Sequence, residues 1–239
     1  GQDLHGAMEG ASAMSSARDA IFARLKHQLA GAGSEDQRRE VAAARIAGHA
    51  PNLIPARAQV KHADQVKLFA AQAEAVQATV STLASHDDIP GEVATYLREH
   101  NLPQAIRHGA DERLTSVDWA GQTPSLTVNH GPADPADEAS LSHATAGVAE
   151  TGTLVLTSGP DNPTTLNFLP ENHIVVINAS DITGSYEDAW QTIRATYGER
   201  QMPRTVNMIT GPSRTGDIEQ RIELGAHGPR RLHIIIIDN

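Results

Sequence analysis

Three stretches of this 239-residue chain combine residue types and spacing that could do chemistry. The first is AGVAETGTLVL, where Glu150 is followed by Thr151 and Gly152 at the entry to an apolar run. Core filling does not explain a carboxylate there. In a crevice it could act as nucleophile, general base or acceptor for a ligand. Equally, it could accept hydrogen bonds from turn amides while Gly152 admits a close backbone approach.

The second stretch is TGPSRTG, in which Thr210, Gly211, Ser213 and Arg214 connect a strand-like run to DIEQRIEL, read as a short helix. Amides at a helix start, with a guanidinium beside them, suit phosphate or carboxylate. Asp217 and Glu219 fall in the same first turn and already complement the helix dipole. A capped turn therefore accounts for the stretch more simply than an anion does. Neither GxGxxG nor a P-loop lysine is present. The third stretch is GAHGPRR, which gathers His227, Arg230 and Arg231 before the last apolar run. Its cations could hold a carboxylate. Alternatively, Gly225 ends the preceding helix and the arginines pair with surface acids. In open α/β sheets ligands bind beyond the carboxyl ends of strands. By that rule TGPSR, which follows TVNMI, is better placed than GAHGPRR, which precedes a strand. A proline-rich stretch, SGPDNPTTLNFLPEN, is expected to form a shaped loop and one wall of a pocket. The 12 histidines form no HExxH or similar pair, so no metal site is expected, and no G-x-S-x-G elbow occurs.

Composition narrows the classes. With 19 Lys+Arg against 29 Asp+Glu the formal charge is −10, which argues against a broad nucleic-acid or anionic-membrane surface. The chain has no cysteine, so it offers no thiol nucleophile, no disulfide and no thiolate-held iron–sulfur cluster. No apolar run approaches the roughly 20 residues of a membrane span, and the small, polar N-terminal stretch does not read as a signal peptide. A cytoplasmic location is expected.

The elements that must position these residues follow from periodicity. Helices are expected from Ser15 or Ser16 to Leu29, ended by Gly31 and Gly33, and from Ser34 to Gly48. A long helix is read over about 60–85, where Val66, Phe69, Ala73, Val76, Val80 and Leu83 recur every three or four residues. IPGEVATYLREH reads as a helix, LPQAIRH and SLTVNHG as strands, and DPADEASLSHATAGVAE as a helix capped by Asp134 or Asp137. TGTLVLTSG, HIVVINA, TVNMIT and RLHIIIID read as strands, and SYEDAWQTIRATYG as a helix. The non-alternating runs suit strands covered on both faces. The expectation is an α/β fold, a mostly parallel sheet flanked by helices, with a helical N-terminal arm over 1–88 and an α/β core over 89–239.

Together, GVAETGTLVLTSG, LPENHIVVIN, NMITGPSRTGDIE and GAHGPRRLHIIIID resemble the LUD-domain family, in its lactate utilisation protein C subgroup. The likeness reaches upstream through PNLIPAR and IPGEVATYLREH. It implies a fold similar to the sugar-phosphate isomerase, CoA-transferase and 5-formyltetrahydrofolate cyclo-ligase group. It also implies a part in oxidising L-lactate to pyruvate beside two cysteine-rich or iron–sulfur partners, lactate utilisation proteins A and B. A cysteine-free chain fits the subunit without a cluster, accessory or ligand-binding. The other reading is a stand-alone enzyme or sensor for a small carboxylate or phosphorylated ligand. By fold-level analogy with CoA-transferases, Glu150 is the catalytic candidate. Thr151, Gly152, Thr210, Gly211, Ser213, Arg214, His227 and Arg230 are the ligand-binding candidates. Gly216 departs from the alanine usual in that block.

Overall fold

The two most apolar runs, HIVVI and HIIII, lie side by side at the centre of a parallel sheet, as expected of strands covered on both faces. The computed structural model describes residues 5–30, 33–198, 201–218 and 221–238. They form helices α1 (His5–Ala30), α2 (Glu35–Gly48), α3 (His62–Ala75), α4 (Ile89–Glu99), α5 (Glu112–Thr115), α6 (Trp119–Gln122) and α7 (Tyr186–Tyr197). The strands are β1 (Thr79–Leu83), β2 (Ala105–His108), β3 (Thr127–His130), β4 (Ala139–His143), β5 (Ala146–Val148) and β6 (Thr153–Thr157). They continue with β7 (Asn172–Asn178), β8 (Ile182–Thr183), β9 (Val206–Ile209), β10 (Arg214–Ile218), β11 (Arg221–Leu224) and β12 (Arg231–Ile237).

The main sheet has six strands in the order β1-β12-β7-β4-β2-β3, every neighbouring pair parallel. On one face Ile174, Val176, Ile235 and Ile237 pack on Ile89, Val93 and Leu97 of α4. On the other, Val175, Ile177, Ile234 and Ile236 meet Phe69 and Ala73 of α3 together with Leu154 and Leu156 of β6. Each of these Val, Leu, Ile and Phe side chains, fully buried, contributes about 1.5–3 kcal/mol. A second sheet, β8-β5-β6-β9, is antiparallel except where β5 pairs with β8. The expected α/β architecture with a parallel sheet and flanking helices is what the chain adopts.

The chain divides into two compact units, Gly1–Asn52 and Leu53–Asn239. The first contains α1 and α2. As expected, Ser34 opens α2, in a capping box with Gln37; α1 begins at His5, so Ser15 and Ser16 lie within it rather than capping it, and Gly31 lies outside the described residues. Segment 53–88, assigned above to the arm, belongs to the second unit.

Three expected helices resolve differently. The helix read over 60–85 stops at Ala75: Gln77 takes a positive φ of 73°, and the Ala78 amide donates to Ala73 O, closing the last turn. The following TVSTL, rich in β-branched residues, forms edge strand β1. The helix read over 134–149 is replaced by β4 and β5, and Asp137 pairs with Arg107 instead of capping. DIEQRIEL contributes to an antiparallel hairpin of β10 and β11. Its first two residues, Asp217 and Ile218, end strand β10 (Arg214–Ile218), so Gly216 does not stand in a helical turn, while Glu219 lies outside the described residues.

Candidate functional site

Glu150 lies in the tight turn between β5 and β6 and is only 5% exposed. Its amide donates to Gly184 O at 3.1 Å. Its Oε1 accepts from the amide of Tyr186, the first residue of α7, at 3.3 Å. Oε2 is 3.9 Å from Nε of Arg57. The carboxylate therefore serves as an acceptor at a helix N-terminus, where the dipole favours a negative charge. Thr151 and Gly152 complete the turn. Gly152 has φ +66°, and a Cβ there would stand 2.3 Å from the Ala73 amide nitrogen, so α3 rests directly on the turn. The Thr151 hydroxyl joins those of Thr153, at 2.7 Å, and Tyr186, at 3.0 Å.

Thr210, Gly211, Ser213 and Arg214 line one cavity of about 270 Å³ with His227. The backbone brings their two loops together: Ser213 N donates to Pro229 O at 2.9 Å, and Gly225 N donates to Ser213 O at 3.0 Å. Gly211, at φ +74°, passes so close to α3 that a Cβ would lie 2.4 Å from Val76 O. Glu150, Thr151, Gly152 and Arg230 do not line this cavity; Arg230 is exposed beside Gly225. Two buried residues that sequence reasoning missed do line it, Asn167 and His173. Nε2 of His173 is 3.0 Å from the Ser142 hydroxyl, which donates to Asn167 Oδ1 at 3.5 Å. With that polarity His173 Nε2 carries the proton, leaving Nδ1 as an acceptor. Neither that Nδ1 nor Asn167 Nδ2 has a partner. Burial pushes the His173 pKa down to about 3. Asn167 and Phe168 belong to the proline-rich stretch expected to wall a pocket, and they do so here.

The location of this cavity corrects the argument from strand ends. His173 and Leu232 are the second residues of β7 and β12, so the cavity opens at the amino ends of the main sheet. Strand β9, which leads into TGPSR, belongs to the second sheet. The carboxyl ends of β2 and β4 instead face a different cavity, of about 310 Å³, lined among others by Asp111, Arg113, His143, Asp161, Asn162 and Asp181. His143, expected on a helix, ends strand β4, and Asp111 and Arg113 carry no sequence signal that marks them. Arg113 donates to both Asp111 oxygens, at 2.9 and 2.6 Å. Burial opposes the Asp111 charge, but Arg113 outweighs it and holds this carboxyl below its ordinary pKa. Burial, helped by the charge of Arg113, pushes the His143 pKa down to about 4. Its ring stacks on His86 at 5.8 Å.

Among the described residues no three or more His, Asp or Glu side chains converge on a point that could hold a metal ion. No described helix is long and apolar enough to cross a membrane.

The chain is 39% identical over 100 residues to an uncharacterised protein of Neisseria meningitidis serogroup B, covering 42% of each. It is 38% identical over 90 residues to lactate utilization protein C of Anoxybacillus flavithermus, covering 38% of this chain and 39% of that one. To lactate utilization protein C of Shouchella clausii it is 34% identical over 92 residues, covering 38% and 40%. The chain thus spans about two fifths of the length of the curated relatives it matches. In three dimensions it resembles the crystal structure of a DUF162 family protein from Deinococcus radiodurans, with a TM-score of 0.55 and 20% identity, covering 74% of this chain and 99% of that one. That likeness concerns the fold. The LUD domain model matches residues 68–237, which include both sheets and both cavities, and the chain belongs to the LUD-domain family.

Proposed function

We propose that this chain is a ligand-binding subunit of a lactate-oxidising system and that its ligand is a small carboxylate. The cavity formed by the TGPSR and GAHGPRR loops carries the reading. Arg214 and His227 stand at it exposed, Ser213 adds a hydroxyl, and Asn167 contributes a buried amide donor without a partner. Among its described lining residues there is no carboxylate. A guanidinium and neutral donors around a small, partly apolar space match a short 2-hydroxy or 2-oxo acid, whose carboxylate needs donors and whose methyl needs apolar contact. Met208, Ile209 and Leu232 supply the apolar wall.

The link to lactate rests on the relatives named lactate utilization protein C. The family resemblance supplies the partners, lactate utilisation proteins A and B, whose iron–sulfur clusters would move the electrons that this cysteine-free chain cannot hold on thiolates. Calorimetry with L-lactate and pyruvate, and reconstitution of lactate oxidation with and without this chain, test the reading. Binding that falls at least tenfold in Arg214→Ala, and oxidation that requires the chain, are expected. Full oxidation by the partners alone, with no heat of binding for either acid, would overturn it.

A further inference from the structure

The cavity at the carboxyl ends of β2 and β4 has the opposite chemistry. Its wall includes the carboxylates of Asp111, Asp161 and Asp181 and the single guanidinium of Arg113. One carboxylate, Asp111, is neutralised by its two-pronged pair with Arg113. The other two leave the wall with a net negative charge. Asp181 accepts a hydrogen bond from Asn178, which does not cancel that charge.

Two further side chains sharpen the preference. His143 is 3% exposed, and its Nδ1 lies 3.0 Å from Ala144 O. A carbonyl can only accept, so Nδ1 carries the proton and Nε2 presents a lone pair. Asn162 is 5% exposed and its Nδ2 donates to Thr157 O at 3.5 Å, which leaves Oδ1 as its acceptor. Neither Nε2 of His143 nor Oδ1 of Asn162 has a partner. Buried acceptors without donors are costly unless a ligand or water supplies them.

We propose that this second cavity binds a small organic ammonium ion. An ammonium offers N–H donors to the acceptors of His143 and Asn162, and its charge balances Asp161 and Asp181. A metal ion would need several ligands on one point, and the described residues do not provide three. A carboxylate or phosphate would meet like charge. A neutral polyol could satisfy the acceptors but would leave the charge unbalanced. The cavity, at about 310 Å³, suits a molecule of only a few carbons. The proposal is independent of the lactate reading, since it concerns different residues at the opposite end of the sheet.

Calorimetry on the full chain with 1,4-diaminobutane, and with butane-1,4-diol and succinate as analogues differing in charge, tests it. The diamine is expected to bind at least tenfold more tightly than the diol, with no heat from succinate, and more weakly as salt is raised. Asp161→Asn is at an exposed position and should keep the fold while weakening diamine binding about fivefold or more. His143→Gln should weaken it as well, and circular dichroism melting shows whether that buried variant is folded. Equal binding of diol and diamine, no diamine binding at all, or diamine binding unchanged in Asp161→Asn would overturn the proposal.

Discussion

The hydroxyls of Thr153 and Thr210 lie 2.7 Å apart, joining the turn that carries Glu150 to the loop that lines the first cavity. Thr153 is fully buried, and its Oγ1 also meets Thr151 Oγ1 at 2.7 Å and Tyr186 Oη at 2.9 Å. One hydroxyl has one proton and two lone pairs, so three contacts use its full capacity. Thr153→Val keeps the shape but strands the neighbouring hydroxyls, at a cost of about 1–3 kcal/mol. Urea unfolding should show that loss. If the cluster also holds Thr210 in place, carboxylate binding in the cavity should weaken in the same variant, although Thr153 does not line it. A variant as stable as the wild type would show that water replaces the lost contacts.

Gly152→Ala is expected to be among the most damaging single-atom additions in the second unit. The added Cβ would stand 2.3 Å from Ala73 N and 2.7 Å from Gln72 C, backbone atoms of a packed helix that cannot turn aside. The positive φ adds its own strain. Together these cost about 2–5 kcal/mol, a fall in melting temperature of roughly 5–20 °C for a chain of this size. Gly216→Ala is the control, because nothing lies within 4 Å of a Cβ at that position. It should melt within a degree or two of the wild type.

The central strands and the start of α2 were legible because their cause is local. HIVVI and HIIII are apolar without alternation, and Ser34 and Gln37 form a capping signal within four residues. Strand β4 was not legible, because ASLSH owes its conformation to residues far along the chain. Ser140 donates to Leu166 O at 2.6 Å, and Ser142 meets His173 and Asn167. Read alone, its alanine and serines fit a helix as well as a strand. Once β4 was misread, His143 was separated from Asp111, Arg113 and Asn162, and the second cavity had no sequence signal. Strand β1 was hidden for a related reason. Val76, Val80 and Leu83 continue a helical spacing that the left-handed Gln77 interrupts, and that conformation carries no glycine to announce it.

Acid should destabilise the second unit well above the range where surface carboxylates titrate. Burial lowers the pKa of His173 to about 3 and, with Arg113, that of His143 to about 4. In the unfolded chain both titrate near 6.5. Below that pH the unfolded state binds protons that the folded state refuses, so stability is complete above about 6.5 and drains away as pH falls toward 4 and 3. By pH 4 each histidine would withdraw on the order of 3 kcal/mol. Chemical denaturation between pH 7.5 and 4.5 should show a falling midpoint, and His143→Gln should reduce the slope by about one proton. A midpoint flat from pH 7 to 5 would mean that these rings are charged, or reached by water, in the folded protein.

The anchoring of α7 separates two roles for Glu150. Its carboxylate accepts the Tyr186 amide at 3.3 Å inside the protein, whereas Arg57, at 3.9 Å, has a side chain 59% exposed. An exposed cation at that distance contributes little, about 0–1 kcal/mol. The charge at the helix N-terminus is worth about 0.5–2 kcal/mol in a partly buried site. Arg57→Ala should therefore be nearly neutral in urea unfolding, and Glu150→Gln, which keeps an acceptor but loses the charge, should cost more. Glu150→Ala should cost most, since it leaves the Tyr186 amide without its acceptor. Carboxylate binding in the first cavity should survive Glu150→Gln, because Glu150 does not line that space. A folded Glu150→Gln protein that binds its ligand yet fails to support lactate oxidation would give the carboxylate a chemical role beyond holding the helix.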